Sequence, residues 1–155
     1  VLSGTAGSIR FDFPASYRIL MCDVYIANDA NDKDVTVTLN NDTGSNYDYQ
    51  DVSVDATSVS GARVTGAAGW LITTHEDFDA SQDYYASFYV AKSTSGIDAQ
   101  LVHQISYRGV GDEIVYESLI GQWSNTANLI TRLDITASSN NFAAASAASL
   151  WGVRL

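Results

Sequence analysis

Ile19-Leu20-Met21-Cys22-Asp23-Val24-Tyr25-Ile26, then a loop rich in Asn and Asp at 28–34, then Val35-Thr36-Val37-Thr38-Leu39: this stretch decides the fold class. Along an extended strand, successive side chains point to opposite faces. Leu20, Cys22, Val24 and Ile26 therefore share one face, and Ile19, Met21 and Tyr25 the other. A strand that is apolar on both faces is either buried between layers or packed at an interface. In the second run, Val35, Val37 and Leu39 alternate with Thr36 and Thr38, the period of a half-buried strand. Asn28, Asp29, Asn31, Asp32 and Asp34 tolerate left-handed backbone and form Asx-turns, so the loop reads as a hairpin connection.

The same period recurs along the chain. A turn cluster at 40–46 leads to Tyr47 and Tyr49 alternating with Asp48 and Gln50. Residues 84–90 are aromatic and favour strands. Leu101, His103, Ile105 and Tyr107 alternate with Val102, Gln104 and Ser106. After a glycine turn at 109–112, Ile114, Tyr116, Ser118 and Ile120 alternate with Val115, Glu117 and Leu119. Leu129, Thr131, Leu133 and Ile135 share a face opposite Arg132 and Asp134, and Trp151, Val153 and Leu155 share a face at the end of the chain. Residues 52–69, rich in Ser, Thr, Ala and Gly, are expected to form a long connection with one short strand. Residues 142–148 contain five alanines, but seven residues are few for a helix and the segment is expected to be irregular. About eight to ten antiparallel strands with turns at short spacing signal a sandwich or barrel. The 155 residues fit one domain. Residues 1–15, closing at Pro14, are expected as an N-terminal arm, and 16–155 as the single domain.

A net charge of −10 with only two lysines, Lys33 and Lys92, and six arginines spread singly excludes a basic patch built from sequence neighbours. Nucleic acid and anionic membrane are therefore not expected partners. No apolar stretch is long enough to span a bilayer, and residues 1–9 lack the basic and apolar regions of a signal peptide. The single cysteine, Cys22, excludes an intrachain disulfide and reads as a small buried hydrophobe.

Catalytic and metal chemistry leave no trace in the pattern. Nucleophilic catalysis needs a nucleophile, a base and an orienting group. There is no Gly-x-Ser-x-Gly elbow, and Cys22 could pair only with His75 or His103. His103 shares a face with Leu101 and Ile105, which suits a core histidine. Zinc needs three or four converging ligands. The Asp-rich loop 28–34 departs from an EF-hand, since Lys33 stands where a carboxylate belongs. No acidic pair stands out for glycoside hydrolysis. No catalytic residue, metal or cofactor is expected.

The C-terminal third carries a more specific signal. Ile130-Thr131-Arg132-Leu133-Asp134-Ile135-Thr136-Ala137-Ser138-Ser139-Asn140-Asn141-Phe142-Ala143-Ala144-Ala145-Ser146, followed by Ser149-Leu150-Trp151-Gly152-Val153, resembles the ending of many phage virion proteins. Their pattern is a strand, a short Ser/Asn/Gly turn, "NFaaGS", then "sLYG". Residues 17–29 and 35–50 are similar to the family's paired opening strands and Tyr-bearing third strand, and Gly121-Gln122-Trp123 to a "G-x-W" that precedes its last two strands. The chain departs from the pattern at Ala145, where the family often has Gly, and at Trp151, where it has Tyr. Alanine at 145 implies a turn without positive φ. The resemblance implies a jelly-roll-like antiparallel β-sandwich that forms homotrimers in the virion, which is assembled in the host cytoplasm. The expected function is capsid decoration (cement) through the major capsid protein, without enzymatic activity. The alternative is a tail-fibre or tail-spike head that binds a host surface glycan, with Tyr47, Tyr49, Trp70, Tyr84 and Tyr85 as candidate stacking aromatics. Trp123, Phe142, Trp151, Val153 and Leu155 are the candidate subunit-interface residues.

Overall fold

The structure is a computed structural model, described over residues 7–27, 34–73, 84–92, 96–108, 114–137 and 142–154. Among the described residues it is an antiparallel β-sandwich of eleven strands: β1 (Ser8–Asp12), β2 (Ile19–Ile26), β3 (Val35–Leu39), β4 (Tyr47–Asp55), β5 (Ser58–Ala67), β6 (Trp70–Leu71), β7 (Tyr84–Ala91), β8 (Ala99–Arg108), β9 (Ile114–Trp123), β10 (Arg132–Ala137) and β11 (Ala147–Val153). One sheet runs β1-β10-β3-β6 and the other β11-β2-β7-β8-β9-β4-β5. The chain passes repeatedly between the sheets, as a jelly-roll-like sandwich does. The β4–β5 hairpin and the β7-β8-β9 meander widen the larger sheet.

Three expectations are corrected. β2 and β3 lie in different sheets and do not form a hairpin. Each sends its alternating apolar side chains, Leu20 to Ile26 and Val35 to Leu39, into the same core from opposite sides. Residues 52–69 are not a loose connection: they complete β4 and form the ten-residue β5, which pairs with β4 from Tyr47↔Ala67 to Asp55↔Ser58. β5 is exposed along most of its length, so it carries no alternating pattern to read. Within the expected arm, Ser8–Asp12 is strand β1, paired with β10 and laying Ile9 and Phe11 against the core.

The core is a single cluster fed by both inner faces. Trp70, Trp123, Tyr47, Phe88 and Phe142 are its largest fully buried side chains. Tyr47 packs edge-on to Trp70, with ring centroids 5.1 Å apart, and stacks on Trp123 at 6.4 Å. Both glycines of the quoted motifs sit under rings. A Cβ on Gly121 would lie 2.3 Å from Trp70 Nε1, and one on Gly152 2.3 Å from Tyr17 Cδ1. His103 joins the sheets: on β8 it is buried, its Nε2 lies 2.9 Å from the Ile72 carbonyl just past β6, and its Nδ1 lies 3.2 Å from the Ser87 carbonyl.

Candidate binding face

Register across the larger sheet places side chains of distant segments in rows. Trp151 stands opposite Met21, Met21 opposite Tyr89, Tyr89 opposite Val102, Val102 opposite Ile120, and Ile120 opposite Gln50. All of these point outward. The first five form an apolar row over five strands, about 19 Å long at about 4.8 Å per strand. On one side runs a row of Ser149, Asp23, Ser87, Gln104 and Ser118. Beyond that row, Tyr25, Tyr85, Ser106 and Tyr116 align. On the other side, Val153, Ile19 and Ala91 give way to Gln100, Gln122 and Asp48.

Thirteen large hydrophobic side chains are exposed among the described residues, and all but Ile97 lie on this one face. The outer face of the smaller sheet instead carries Ser8, Arg10, Asp12, Thr36, Thr38, Arg132, Asp134 and Thr136. There Arg132 grips Asp134 with two hydrogen bonds of 2.7 Å, and Arg10 holds Asp12 in the same way.

Two hollows open on the larger sheet's face. One, of about 460 Å³, lies over β8, β9, β4 and β5 between Asp48, Gln50, Arg63, Gln100, Ile120 and Gln122. The other, of about 220 Å³, lies between Ser87, Tyr89, Val102 and Gln104.

Of the candidate interface residues, Trp151 (51% exposed) and Val153 (40% exposed) lie on this face. Leu155 lies outside the described residues. Trp123 and Phe142 are fully buried in the chain's own core, which removes them from any seam. Trp123 donates from Nε1 to Asp42 Oδ2 at 2.8 Å, and the Lys92 ammonium sits 4.7 Å over its ring. Burial pushes the Asp42 carboxyl up, but hydrogen bonds from Trp123, the Gly44 amide, Asn46 and Asn125 outweigh it and hold the carboxyl below its ordinary value. Burial lowers the Lys92 ammonium, which donates to the Asn125 carbonyl at 2.6 Å. The "G-x-W" is thus a structural pin.

The aromatics proposed for sugar stacking mostly face inward. Tyr47, Tyr49 and Trp70 are buried, Tyr85 is exposed, and the Tyr84 side chain lies outside the described residues. Tyr25, Tyr89, Tyr116 and Trp151 are the outward aromatics the sequence reading missed in that role. Their parity within a strand was legible, but which parity faces water was not.

Cys22 is buried and its thiol is pushed up to about 12 by burial, first, and by Asp23. A thiol in that state is a poor nucleophile. His103 is a core histidine, and burial lowers its pKa to about 4 against two carbonyl contacts that raise it. His75 and the Asp-rich loop at 28–33 lie outside the described residues. No three His, Cys, Asp or Glu side chains converge among the described residues. Three acidic residues are buried among the described residues: Asp134 is paired with Arg132, Glu117 accepts a 2.8 Å hydrogen bond from the Tyr107 hydroxyl, and Asp51 lies on the neighbouring strand β4. Glu117 shares its parity with Val115 and Leu119, the signal that could have placed it inside. Among the described residues, no helix is long and apolar enough to cross a membrane. Compared with family models, curated proteins and solved structures, the chain matches none.

Proposed function

We propose that this chain is a non-enzymatic structural module of a bacteriophage particle, a capsid decoration protein that trimerises and clamps capsomers. The observation that supports it is the concentration of exposed apolar side chains on one sheet face. Contiguous apolar surface of that kind on a single chain marks a protein interaction site. The Trp151, Val153, Met21, Tyr25 and Tyr85 end of that face, on β11, β2 and β7, forms the seam between subunits. A closed ring hides it on every copy. The opening strand's two apolar faces then have one purpose each: Leu20, Cys22, Val24 and Ile26 fill the core, while Ile19, Met21 and Tyr25 meet a neighbour. Capsid binding sums weak contacts over three copies. Light scattering on the purified protein should give three chains per particle at micromolar concentration, and Met21→Lys should give monomers with an unchanged fold. Added to expanded capsids, the wild type should co-sediment. A monomeric wild type, or labelling confined to the tail of intact particles as expected of a tail-fibre or tail-spike head, overturns the proposal.

A further inference from the structure

The amide-lined end of the same face is chemically unlike the seam. In the larger hollow, Asp48, Gln122 and Gln100 stand in one row across β4, β9 and β8. Arg63, Gln50 and Ile120 stand in the next row across β5, β4 and β9. Side chains directly opposite on paired strands have Cβ atoms about 4.5–5.5 Å apart. Five hydrogen-bonding groups therefore converge around an isoleucine that is 64% exposed.

The side chains of Gln50, Gln100 and Arg63 make no hydrogen bond to another residue among the described residues. Asp48 uses Oδ1 to accept the Gly66 amide at 2.8 Å, and Gln122 donates to Asp98. We infer that this hollow binds a neutral carbohydrate. A glutamine amide can donate and accept, which matches hydroxyls that also do both, and Gln122 keeps one N–H and its oxygen beside its bond to Asp98. Ile120 gives the apolar floor on which the C–H face of a sugar ring rests.

The row then continues through Val102 to Tyr89 and the smaller hollow, so the site has the length for an oligosaccharide and ends on an aromatic face. A volume of about 460 Å³ suits a small-molecule site. Charge decides the class of sugar. Asp48 and Arg63 cancel inside the hollow, and a chain of net charge −10 repels acidic polymers. An extended peptide would seek unpaired strand-edge groups, whereas the hollow's floor lies on β8, β9 and β4, each paired on both sides, and the edge strand β5 contributes only Arg63 at its rim. The larger hollow does not depend on trimerisation: its lining comes from β8, β9, β4 and β5, outside the proposed seam on β11, β2 and β7.

The test is a glycan array carrying both neutral and acidic oligosaccharides, probed with labelled full chain, followed by calorimetric titration of the strongest neutral oligosaccharide. Gln50→Ala, Gln100→Ala and Gln122→Ala should each weaken binding about tenfold, the effect of one lost hydrogen bond to a ligand. Thr136→Ala, exposed on the outer face of the smaller sheet, should leave it unchanged. All four variants change exposed side chains, and thermal melts will show that they fold. An array on which only acidic sugars bind, or none, overturns the inference, as does a neutral ligand held equally well by all three glutamine variants.

Discussion

The two outer faces of the sandwich are made from strands of the same chain around one core, yet they are built for different neighbours. On the four-stranded sheet, Ser8, Thr36 and Thr136 stand beside two arginines that are each paired with an aspartate. On the seven-stranded sheet, Trp151, Met21, Tyr89, Val102 and Ile120 stand uncovered in a row. Inner faces are apolar because they make the core. An outer face is apolar at this density when something else covers it. The difference marks the seven-stranded sheet's outer face as the candidate interaction surface.

Two tryptophans sharpen that contrast most. Trp123 is fully buried and bonded to Asp42, whereas Trp151 is half exposed on the apolar row. Trp123→Ala should cost about 3–5 kcal/mol of chain stability, the usual range for deleting a buried aromatic. Trp151→Ala should shift the stability of the isolated chain by no more than about 0.5 kcal/mol, while dissociating the proposed trimer. Chemical denaturation paired with light scattering separates the two. Equal losses for both variants in a monomeric protein would break the contrast and make Trp151 an ordinary core residue.

Acid probes how the two sheets are joined. His103 reaches from β8 to the Ile72 carbonyl, and burial holds its pKa at about 4, against an ordinary 6.5. The unfolded chain therefore takes up a proton on His103 that the folded chain refuses between those values. The stabilising contribution is full above pH 6.5, falls as pH drops to about 4, and totals about 3 kcal/mol at about 1.4 kcal/mol per pH step. His103→Gln should flatten the denaturation midpoint across that window. A wild-type midpoint already flat from pH 7 to 4 would refute the assignment.

The polar face offers an internal control. The Arg132–Asp134 pair is largely covered, with side chains 25% and 8% exposed, whereas Arg10–Asp12 is open. Arg132→Gln strips a partly desolvated carboxylate of its partner and should cost about 1–3 kcal/mol. Arg10→Gln should not register, as is usual for an exposed pair. Denaturation at low and high salt checks both. If the two losses are equal, burial on this face counts for nothing.

The sequence announced the alternating strands and the two-faced character of β2 clearly, because period-2 patterning is local. It concealed β5, whose two exposed faces leave no period, and β1, whose charges Arg10 and Asp12 mask two half-buried apolar residues. Pairing was illegible as well: alternation reports that β2 and β3 exist, not that a connection of eight residues carries the chain to the other sheet. The candidate face was hidden for the same reason. Trp151 and Met21 are neighbours only through register, as are Gln100, Gln122 and Asp48. On β9, the outward set Ile114, Tyr116 and Ile120 is as apolar as the inward set Val115, Glu117 and Leu119, so composition alone did not say which set faces the core.

The smallest effect concerns the turn that delivers β11 to the edge of the apolar face. Alanine at 145 implied a turn without positive φ, and the structure overturns this: Ala145 has φ 79°. The Ser146 amide donates to the Ala143 carbonyl at 3.2 Å, which makes Ala145 the third residue of the turn, the position at which a type II turn calls for glycine. Relaxation is blocked on the C-terminal side. Ser146 is fully buried, and its hydroxyl accepts the Ala27 amide at 3.1 Å and donates to the Ala27 carbonyl at 3.3 Å, anchoring the turn to the end of β2. A left-handed alanine costs about 1–2 kcal/mol, and glycine returns part of that gain as extra entropy of the unfolded chain, about 0.5–1 kcal/mol. Ala145→Gly should therefore stabilise the chain by up to about 1 kcal/mol, raising Tm by about 2–4 °C for a protein near this size. Ala144→Gly, one residue earlier and without positive φ, should lower Tm instead. Because the Ala145→Gly turn carries Trp151 and Val153 to the same place with less strain, the stoichiometry seen by light scattering should not change. If both glycine variants lower Tm alike, Ala145 is not strained.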